Sequence, residues 1–303
     1  MNIAVIGAGA MGSLFGALLA ESGHAVHLIS RDPDHIQAIQ EKGLAIERSG
    51  EVRTVAVPGS IEADAAPPAD LCLVFVKSPD TADAAADAAR LAGETGAVLT
   101  LQNGLGNADI LAGVVGGGRI VAGTTAHGAT LTAPGTIRHA GTGPTVVGMW
   151  SGSNSGPARR AAGILNDAGI ETTLADDIQT VIWNKLLINV GINAITALTG
   201  IENGDILDLE ETRWLSRAAV KEAMTVAGAQ GIAVNPEAVD RVFQVAEATR
   251  QNRSSMGQDV DHRRPTEIDA INGAVVDLAE RLDIPVPVNK TLTALVRTLQ
   301  AHF

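Results

Sequence analysis

Short apolar runs alternate with helical patterns over the first half of the chain. The runs have the length of buried strands and lie at residues 3–6, 25–29, 71–76, 98–101 and 120–123. The helical patterns among them lie at residues 11–22, 33–42 and 79–92. Strands that alternate with helices predict a doubly wound, mainly parallel α/β sheet with right-handed crossovers. Residues 136–148, with Gly and Thr between short apolar runs, are expected to form an antiparallel extension.

The second half of the chain lacks strand patterns. From Asp177 onward, five helical segments are predicted at residues 177–198, 208–230, 236–256, 266–282 and 290–302. We therefore expect two domains, an α/β domain over residues 1–175 and an all-helical domain over residues 176–303. The loop at 152–156 resembles the Gly-x-Ser-x-Gly turn of hydrolases, but Asn154 stands at the serine position, so a hydrolase is not indicated.

Composition narrows the possible chemistry. The 303 residues include four Phe, three Trp and no Tyr, which excludes any mechanism with a tyrosine hydroxyl as the acid. A net charge of −12 and the scarcity of aromatic side chains argue against nucleic-acid binding. Cys72 is the only cysteine and the seven His show no metal-ligand spacing, so neither a disulfide nor a metal site is expected. The lone cysteine fits a reducing, cytoplasmic compartment.

The apolar stretch near the N-terminus resembles a membrane span. Residues 3–20 carry no charge and approach the length of a marginal span. However, no Lys or Arg precedes Arg31, whereas a signal peptide has a basic N-terminal region. Four glycines would also weaken a spanning helix. We expect a buried strand followed by a buried helix, and no membrane association.

A glycine-rich turn follows the first predicted strand and opens the first predicted helix. The residues Gly7, Ala8, Gly9, Ala10, Met11 and Gly12 fit G-x-G-x-x-G. The first Gly permits the tight turn, the second lets the backbone approach a pyrophosphate, and the third allows close packing of helix on strand. The helix N-terminus offers unpaired N–H groups to phosphates. The pattern predicts a dinucleotide site, although a turn that binds nothing would share it.

The end of the second predicted strand distinguishes NADP from NAD. NAD-binding proteins usually place Asp or Glu there to accept from the ribose 2′-hydroxyl. This chain has Ser30 followed by Arg31. The Ser30 hydroxyl can donate to a 2′-phosphate, and the Arg31 guanidinium can pair with it. Asp32 comes one place later and is expected to start the next helix. NADPH is therefore the expected cofactor, and hydride transfer the expected chemistry.

A polar stripe runs along an otherwise apolar helical segment in the second half. Lys185, Asn189 and Asn193 are spaced by four and share one helix face. A lysine in buried surroundings has a lowered pKa, which suits a general acid near neutral pH. Spacing alone leaves open a lysine that reaches solvent beside two structural asparagines.

Three further polar segments accompany this stripe. Residues 102–104, Gln-Asn-Gly, follow a predicted strand at the edge of the sheet where ligands bind in α/β folds. Residues 254–259 and 263–269 are dense in hydrogen-bonding groups. Pro265, Thr266 and Asp269 are typical of a helix start. That role leaves Ser255 and Glu267 unexplained.

These motifs occur in the same order in one family, ketopantoate reductase (2-dehydropantoate 2-reductase), which the chain resembles over nearly its whole length. The matching segments are GAGAMG at 7–12, Arg31, VFVK ending at Lys77, QNG at 102–104, GTTAHGA at 123–129, WNKLLINVGIN at 183–193, Asn203 with Gly204, SSMGQD at 254–259 and RPTEID at 264–269.

The resemblance implies a Rossmann domain joined to a helical domain like that of 6-phosphogluconate dehydrogenase. It implies NADPH-dependent reduction of 2-dehydropantoate to pantoate, a step of pantothenate and coenzyme A biosynthesis. Lys185 would protonate the ketone oxygen, and Glu267 matches an acidic position near Lys185 and the cofactor. The implied partner is a small 2-oxo acid, bound by a monomer or a homodimer.

The resemblance also implies the binding residues. Those for the substrate would be Asn103, Lys185, Asn189, Asn193, Asn203, Ser255, Met256, Gly257 and Gln258. Those for NADPH would be residues 7–12 with Arg31, Lys77, Asn103, Ala129 and Glu267.

Two positions depart from the family pattern. Ser78 stands where a small apolar residue is expected, and Gly257 stands where Leu is common. Both could alter the shape of the pocket. Apart from these two positions, another branched 2-oxo acid stays open as the substrate. A β-hydroxyacid or 6-phosphogluconate-type dehydrogenase and a non-catalytic NADP-sensing regulator are further alternatives. A regulator would not need Lys185, Asn189, Ser255 and Glu267 together.

Overall fold

The computed structural model describes all residues from 1 to 303, and the chain divides into two compact units. The first unit comprises Met1–Gln102 and Asn107–Ile178, and the second comprises Asn103–Gly106 and Gln179–Phe303. The expected boundary at 175/176 differs from this division in two respects. The main break follows Ile178, and four residues from within the first half group with the second unit.

Twelve strands and eleven α-helices make up the chain. The strands are β1 (Asn2–Ile6), β2 (Ala25–Ile29), β3 (Leu44–Arg48), β4 (Glu51–Val55), β5 (Gly59–Ser60), β6 (Leu71–Val74), β7 (Ala97–Thr100), β8 (Ile120–Thr125), β9 (Gly128–Ala133), β10 (Thr136–Gly141), β11 (Thr145–Met149) and β12 (Thr172–Leu174). The helices are α1 (Ala10–Glu21), α2 (Pro33–Lys42), α3 (Thr81–Ala92), α4 (Asn107–Val115), α5 (Gly156–Asp167), α6 (Ile178–Thr199), α7 (Glu210–Ala229), α8 (Ala238–Ala248), α9 (Ser255–Asp261), α10 (Ala274–Arg281) and α11 (Pro287–Gln300).

The first unit contains an eight-stranded sheet in the order β12-β11-β8-β7-β6-β1-β2-β5. Every neighbouring pair is parallel except β8 and β11. The chain leaves β1 toward β2 and then returns to the other side of β1 at β6. This order is that of a Rossmann fold, and the reversal beside β1 is the switch point at which such sheets bind ligands. The predicted doubly wound, mainly parallel sheet is confirmed.

A second, four-stranded sheet in the first unit, β4-β3-β10-β9, was not predicted. Strands β3 and β4 are short, and β4 is exposed apart from Val55, so neither has the apolar run of a buried strand. The expected antiparallel extension over 136–148 is confirmed in part, because β11 pairs antiparallel with β8 in the large sheet. Strand β10, from the first part of the same segment, instead pairs with β9 and β3 in the small sheet.

The apolar N-terminal stretch forms β1 and α1, and both lie largely within the core of the first unit. A different helix, α6, is long and apolar enough to cross a membrane by length and composition alone. In its most apolar window 61% is buried inside the protein, as in the core helix of a globular unit.

Local signals set the bounds of α2 as the sequence predicted them. The Asp32 side chain caps this helix by accepting from the backbone N–H of His35 at 3.1 Å, and Pro33 occupies its first position. Gly43 ends it with a φ of 80°, which glycine adopts without strain.

The second unit is helical, as predicted, but two of its helices differ from the prediction. The expected helix over 236–256 is broken because the carbonyls of Arg250 and Asn252 accept from the backbone N–H groups of Gly204 and Asn203. The Ser254 side chain then caps the new helix α9. The expected helix over 266–282 begins later, with one π-helical turn at Asp269–Gly273 followed by α10.

Candidate functional site

The glycine-rich loop lies at the switch point of the large sheet. The backbone N–H groups of Gly7 and Ala8 donate to the carbonyl of Ile29 at the end of β2. Gly7 has a φ of 93°, and a Cβ there would lie 2.5 Å from the backbone nitrogen of Val76, just after β6. A Cβ on Gly12 would overlap the carbonyl oxygen of Gly7. These two glycines are therefore required by the packing of the loop itself.

Gly9 has a different environment. A Cβ on Gly9 would meet no protein atom within 4 Å, so the space above this glycine is open. Gly9 is also the N-cap of α1, where no side chain caps the helix and the first turn carries no carboxylate. The unpaired N–H groups of that turn and the positive end of the helix dipole suit an anion. Residues 7–12 thus fit the pyrophosphate of a dinucleotide.

The residues expected to recognise the ribose follow β2. Arg31 is exposed and forms an ion pair with Asp80, which precedes α3. The Ser30 hydroxyl accepts from the backbone N–H of Asp32 at 3.3 Å. The expectation that Asp32 starts the next helix is confirmed, so no carboxylate occupies the position that usually binds a ribose 2′-hydroxyl.

Lys77 and Ala129 are also in the first unit. Lys77 is exposed and precedes the short 3₁₀ helix Ser78–Asp80, close to Gly7 through Val76. Ser78, the position that departs from the family pattern, accepts from Asn107 Nδ2 at 3.2 Å. Ala129 lies on β9 and packs against the core that includes α1. The other two predicted cofactor residues, Asn103 and Glu267, belong to the second unit.

A buried histidine that the sequence did not single out supports the glycine-rich loop. The backbone N–H of Gly135 donates to His35 Nδ1 at 2.9 Å, which places the proton on Nε2. His35 Nε2 then donates to Ser13 Oγ at 3.0 Å, and Ser13 donates to the carbonyl of Ala8 at 3.1 Å. This chain links the loop to the β9–β10 turn. Burial lowers the pKa of His35 against the opposing effect of the Asp32 carboxylate, so the neutral form is favoured.

Low pH is expected to weaken the hydrogen-bond chain through His35. Below about pH 6.5 the histidine of the unfolded chain takes up a proton while the folded form resists it, so the contribution of His35 to stability falls as the pH falls. A His35→Gln variant lacks this dependence. We expect the difference in Tm between wild type and variant, measured by calorimetry, to be smaller at pH 5.5 than at pH 7.5. A difference independent of pH would contradict the neutral assignment.

Lys185 lies on α6 in the second unit, surrounded closely enough by protein that desolvation lowers the pKa of its ammonium to about 8. The carboxylate of Glu267 opposes this shift by favouring the charged form. Glu267 is 7% exposed and accepts from Asn103 Nδ2 at 3.3 Å. The lowered pKa expected from the sequence is confirmed. The group can give up a proton near neutral pH.

One other member of the α6 stripe, Asn193, faces the start of α9. Asn193 is buried, and its Nδ2 lies 3.5 Å from the hydroxyl of Ser255. One turn further along α6, the Thr196 hydroxyl donates to Ser254 Oγ at 2.6 Å, which ties the two helices together. Asn189 is partly exposed. The stripe therefore presents amide groups that a ligand could contact.

The predicted substrate residues on α9 have unequal access to solvent. Ser255 and Gln258 are exposed, whereas Met256 lies in the core of the second unit and Gly257 is buried. The Gln258 amide turns back and donates to the carbonyl of Arg253 at 3.0 Å. A Cβ on Gly257 would lie 2.6 Å from the guanidinium carbon of Arg253. Arg253 thus fills the space that a larger side chain at 257 would take.

Asn203 carries a buried polar atom that no protein group satisfies. Its Nδ2 donates to Thr249 Oγ1 at 3.0 Å, but Oδ1 has no hydrogen-bond partner. Unsatisfied buried acceptors are rare because each lost hydrogen bond is unfavourable. A ligand hydroxyl at this position would satisfy Oδ1.

The segment Asn103–Gly106 is held to the π-helical turn of the second unit. Leu105 N–H donates to the carbonyl of Ala270 at 2.8 Å, and a Cβ on Gly104 (φ 84°) would overlap that carbonyl. This close approach positions Asn103 beside Glu267. The turn itself is anchored by Asn272, which donates to Asn289 Oδ1 at 3.0 Å in the core. Neither of these two buried asparagines was predicted from the sequence, because the partners of each lie far along the chain.

Comparison with known proteins identifies one family. A family model described as "Ketopantoate reductase PanE/ApbA" matches residues 3–152, and its C-terminal counterpart, "Ketopantoate reductase PanE/ApbA C terminal", matches residues 177–300. A 2-dehydropantoate 2-reductase of Halobacterium salinarum is 42% identical over 305 residues, which cover 99% of each chain.

Solved structures agree with this result. The crystal structure of a PanE/ApbA family ketopantoate reductase from Ralstonia eutropha is 33% identical with a TM-score of 0.92, over 100% of this chain and 99% of that one. D-mandelate dehydrogenase, in a ternary structure with NADH and anilino(oxo)acetate, is 28% identical with a TM-score of 0.94 over the same shares. On the two family matches and the full-length relative, the chain belongs to the ketopantoate reductase family.

Proposed function

We propose that this protein reduces 2-dehydropantoate (ketopantoate) to pantoate with NADPH, in pantothenate and coenzyme A biosynthesis in the cytoplasm. The observation that carries the proposal is Lys185, an ammonium with a pKa of about 8 beside the buried carboxylate of Glu267. A lysine of this kind can protonate an oxygen as negative charge develops on it. We assign a small-molecule substrate because the members of this family act on one. The proposed assembly is a monomer or a homodimer, which sedimentation would distinguish.

Residues of the first unit bind the cofactor in this proposal. The pyrophosphate occupies the open space at Gly9 and accepts from the N–H groups of Ala10, Met11 and Gly12, while Arg31 pairs with the 2′-phosphate. Lys77 follows Val76, which lies beside Gly7, and Ala129 lies on β9, which packs against the helix that the loop opens. When bound, NADPH supplies the hydride. The support for a nicotinamide cofactor also includes the NADH complexes of D-mandelate dehydrogenase.

Residues of the second unit bind and protonate the substrate. The Lys185 Nζ donates its proton to the ketone oxygen of the 2-oxo acid, and the same charge stabilises the oxygen before the proton moves. Glu267 keeps Lys185 protonated at neutral pH by its negative charge, and Asn103 holds Glu267 in place. Both groups would also border the nicotinamide.

Amide and hydroxyl groups give the substrate its orientation. Asn189 and Asn193 on α6, with Ser255 at the start of α9, can donate to a carboxylate or accept from a hydroxyl. The unsatisfied Oδ1 of Asn203 suits the terminal hydroxyl of 2-dehydropantoate. The backbone of Met256 and Gly257 and the exposed Gln258 would complete this side of the site.

The deciding experiment follows NADPH oxidation at 340 nm with 2-dehydropantoate and a panel of branched and aromatic 2-oxo acids. We expect the highest kcat/KM with 2-dehydropantoate. A higher kcat/KM for another 2-oxo acid would identify that acid as the substrate and leave the proposed hydride transfer unchanged. Tight NADPH binding without turnover of any of them would instead support a sensor of NADP.

Arg31 gives a separate test of the cofactor. An Arg31→Ala variant loses a charged partner of the 2′-phosphate, and hydrogen bonds to charged groups contribute about 1.5–3 kcal/mol. We expect NADPH affinity, measured by fluorescence titration, to fall about tenfold or more while NADH affinity changes little. Equal losses for the two cofactors would remove Arg31 from 2′-phosphate recognition.

A further inference from the structure

Asp80 stands at the N-cap position of α3 but does not act as a cap. Aspartate at this position normally accepts a hydrogen bond from an N–H group in the first turn of the helix. In α3 no side chain caps the helix, and the Asp80 carboxylate instead contacts the guanidinium of Arg31. The carboxylate is thus directed toward Arg31 rather than toward its own helix.

The ion pair crosses the end of the strand that leads into the glycine-rich loop. Arg31 follows β2 and Asp80 follows β6, and these two strands flank β1 in the sheet. The pair therefore spans the carboxyl end of β1, where the loop at 7–12 begins. The side chains are 71% and 32% exposed, so solvent and ligands can reach both groups. An exposed pair of this kind adds little to stability.

We propose that Asp80 is a specificity-determining residue that competes with the 2′-phosphate of the cofactor for Arg31. The inference rests on the proposed role of Arg31. A 2′-phosphate that pairs with Arg31 takes N–H groups that now contact Asp80, so the Asp80 carboxylate must release part of the guanidinium. A cofactor with a 2′-hydroxyl carries no charge at this position and does not compete for the guanidinium. Asp80 therefore lowers the ratio of NADPH affinity to NADH affinity, and it does so by acting through Arg31.

The test measures the dissociation constants of NADPH and NADH for Asp80→Asn, Arg31→Ala and the double variant. Asparagine is also a good N-cap residue, so Asp80→Asn is expected to fold normally. We expect it to tighten NADPH binding about two- to fivefold at low salt, the range of exposed ion pairs. NADH binding should stay unchanged. The gain should shrink at high salt and be largely lost in the Arg31→Ala background.

Asp83→Asn is the matched control, because Asp83 is an exposed acid on the same helix and its replacement changes the net charge equally. It should alter neither dissociation constant. Weaker NADPH binding in Asp80→Asn would show that Asp80 orients Arg31 and would overturn the proposal, as would an equal gain in the Arg31→Ala background. An effect of Arg31→Ala without any effect of Asp80→Asn would overturn this inference alone. No effect of Arg31→Ala on NADPH would overturn both it and the proposed role of Arg31.

Discussion

Replacing Lys185 by alanine is expected to lower kcat by about a hundredfold or more while leaving NADPH affinity nearly unchanged. General acids typically contribute about 10²- to 10⁴-fold to a rate, and Lys185 is the group in the second unit whose pKa, at about 8, fits proton donation near neutral pH. The measurement is steady-state NADPH oxidation at saturating 2-dehydropantoate, with NADPH binding followed separately by fluorescence.

Lys221→Ala is a suitable control for this variant, since Lys221 is an exposed lysine on α7 of the same unit. The control should keep wild-type kcat. The wild-type enzyme should also lose activity as the pH rises through about 8, because the ammonium form that donates the proton disappears there. An unchanged kcat in Lys185→Ala would exclude the acid role.

Alanine substitutions at two glycines of the loop are expected to distinguish an effect on NADPH binding from an effect on folding. Gly9→Ala is expected to weaken NADPH binding about tenfold or more with little change in Tm, because the new Cβ enters open space where a phosphate would lie. Gly7→Ala should lower Tm by several degrees and abolish NADPH binding, since its φ of 93° is strained for alanine and its Cβ lies 2.5 Å from Val76 N.

Gly113→Ala provides the comparison for both variants. Gly113 is exposed within α4, and a Cβ at this position would meet no atom within 4 Å. Alanine also favours a helix more than glycine does, so Tm should be unchanged or slightly higher. If Gly9→Ala bound NADPH as well as the wild type, the open space at Gly9 would not be the pyrophosphate site.

Features with local physical causes could be predicted from the sequence. The helix α2 has the predicted bounds because Asp32 and Pro33 specify its start and Gly43 specifies its end. The strand, turn and helix around residues 7–12 could be predicted from an apolar run and from the glycines that follow it, of which Gly7 and Gly12 leave no room for a Cβ. The lowered pKa of Lys185 could be predicted because this lysine stands among apolar residues on a predicted helix, which indicates buried surroundings.

Features that depend on distant partners could not be predicted. The small sheet joins β3 to β10 across about ninety residues, and neither strand has a distinctive apolar pattern. His35 gains its role only from the backbone of Gly135, one hundred positions away. The break between α8 and α9 depends on hydrogen bonds from residues 203 and 204. The roles of the individual site residues stay predictions until the variants are measured.

The segment Asn103–Gly106 makes the second unit discontinuous in sequence, because the chain passes from one unit to the other at 102/103, 106/107 and 178/179. Chimeras of two relatives joined at a single point near residue 178 would combine Glu267 and Ala270 of one parent with the Asn103 and Gly104 of the other. The hydrogen bond to Glu267 and the close contact at Ala270 would then be formed between residues of different ancestry. A recombination that keeps these contacts intact has to transfer four residues from the first half of the gene together with the second half.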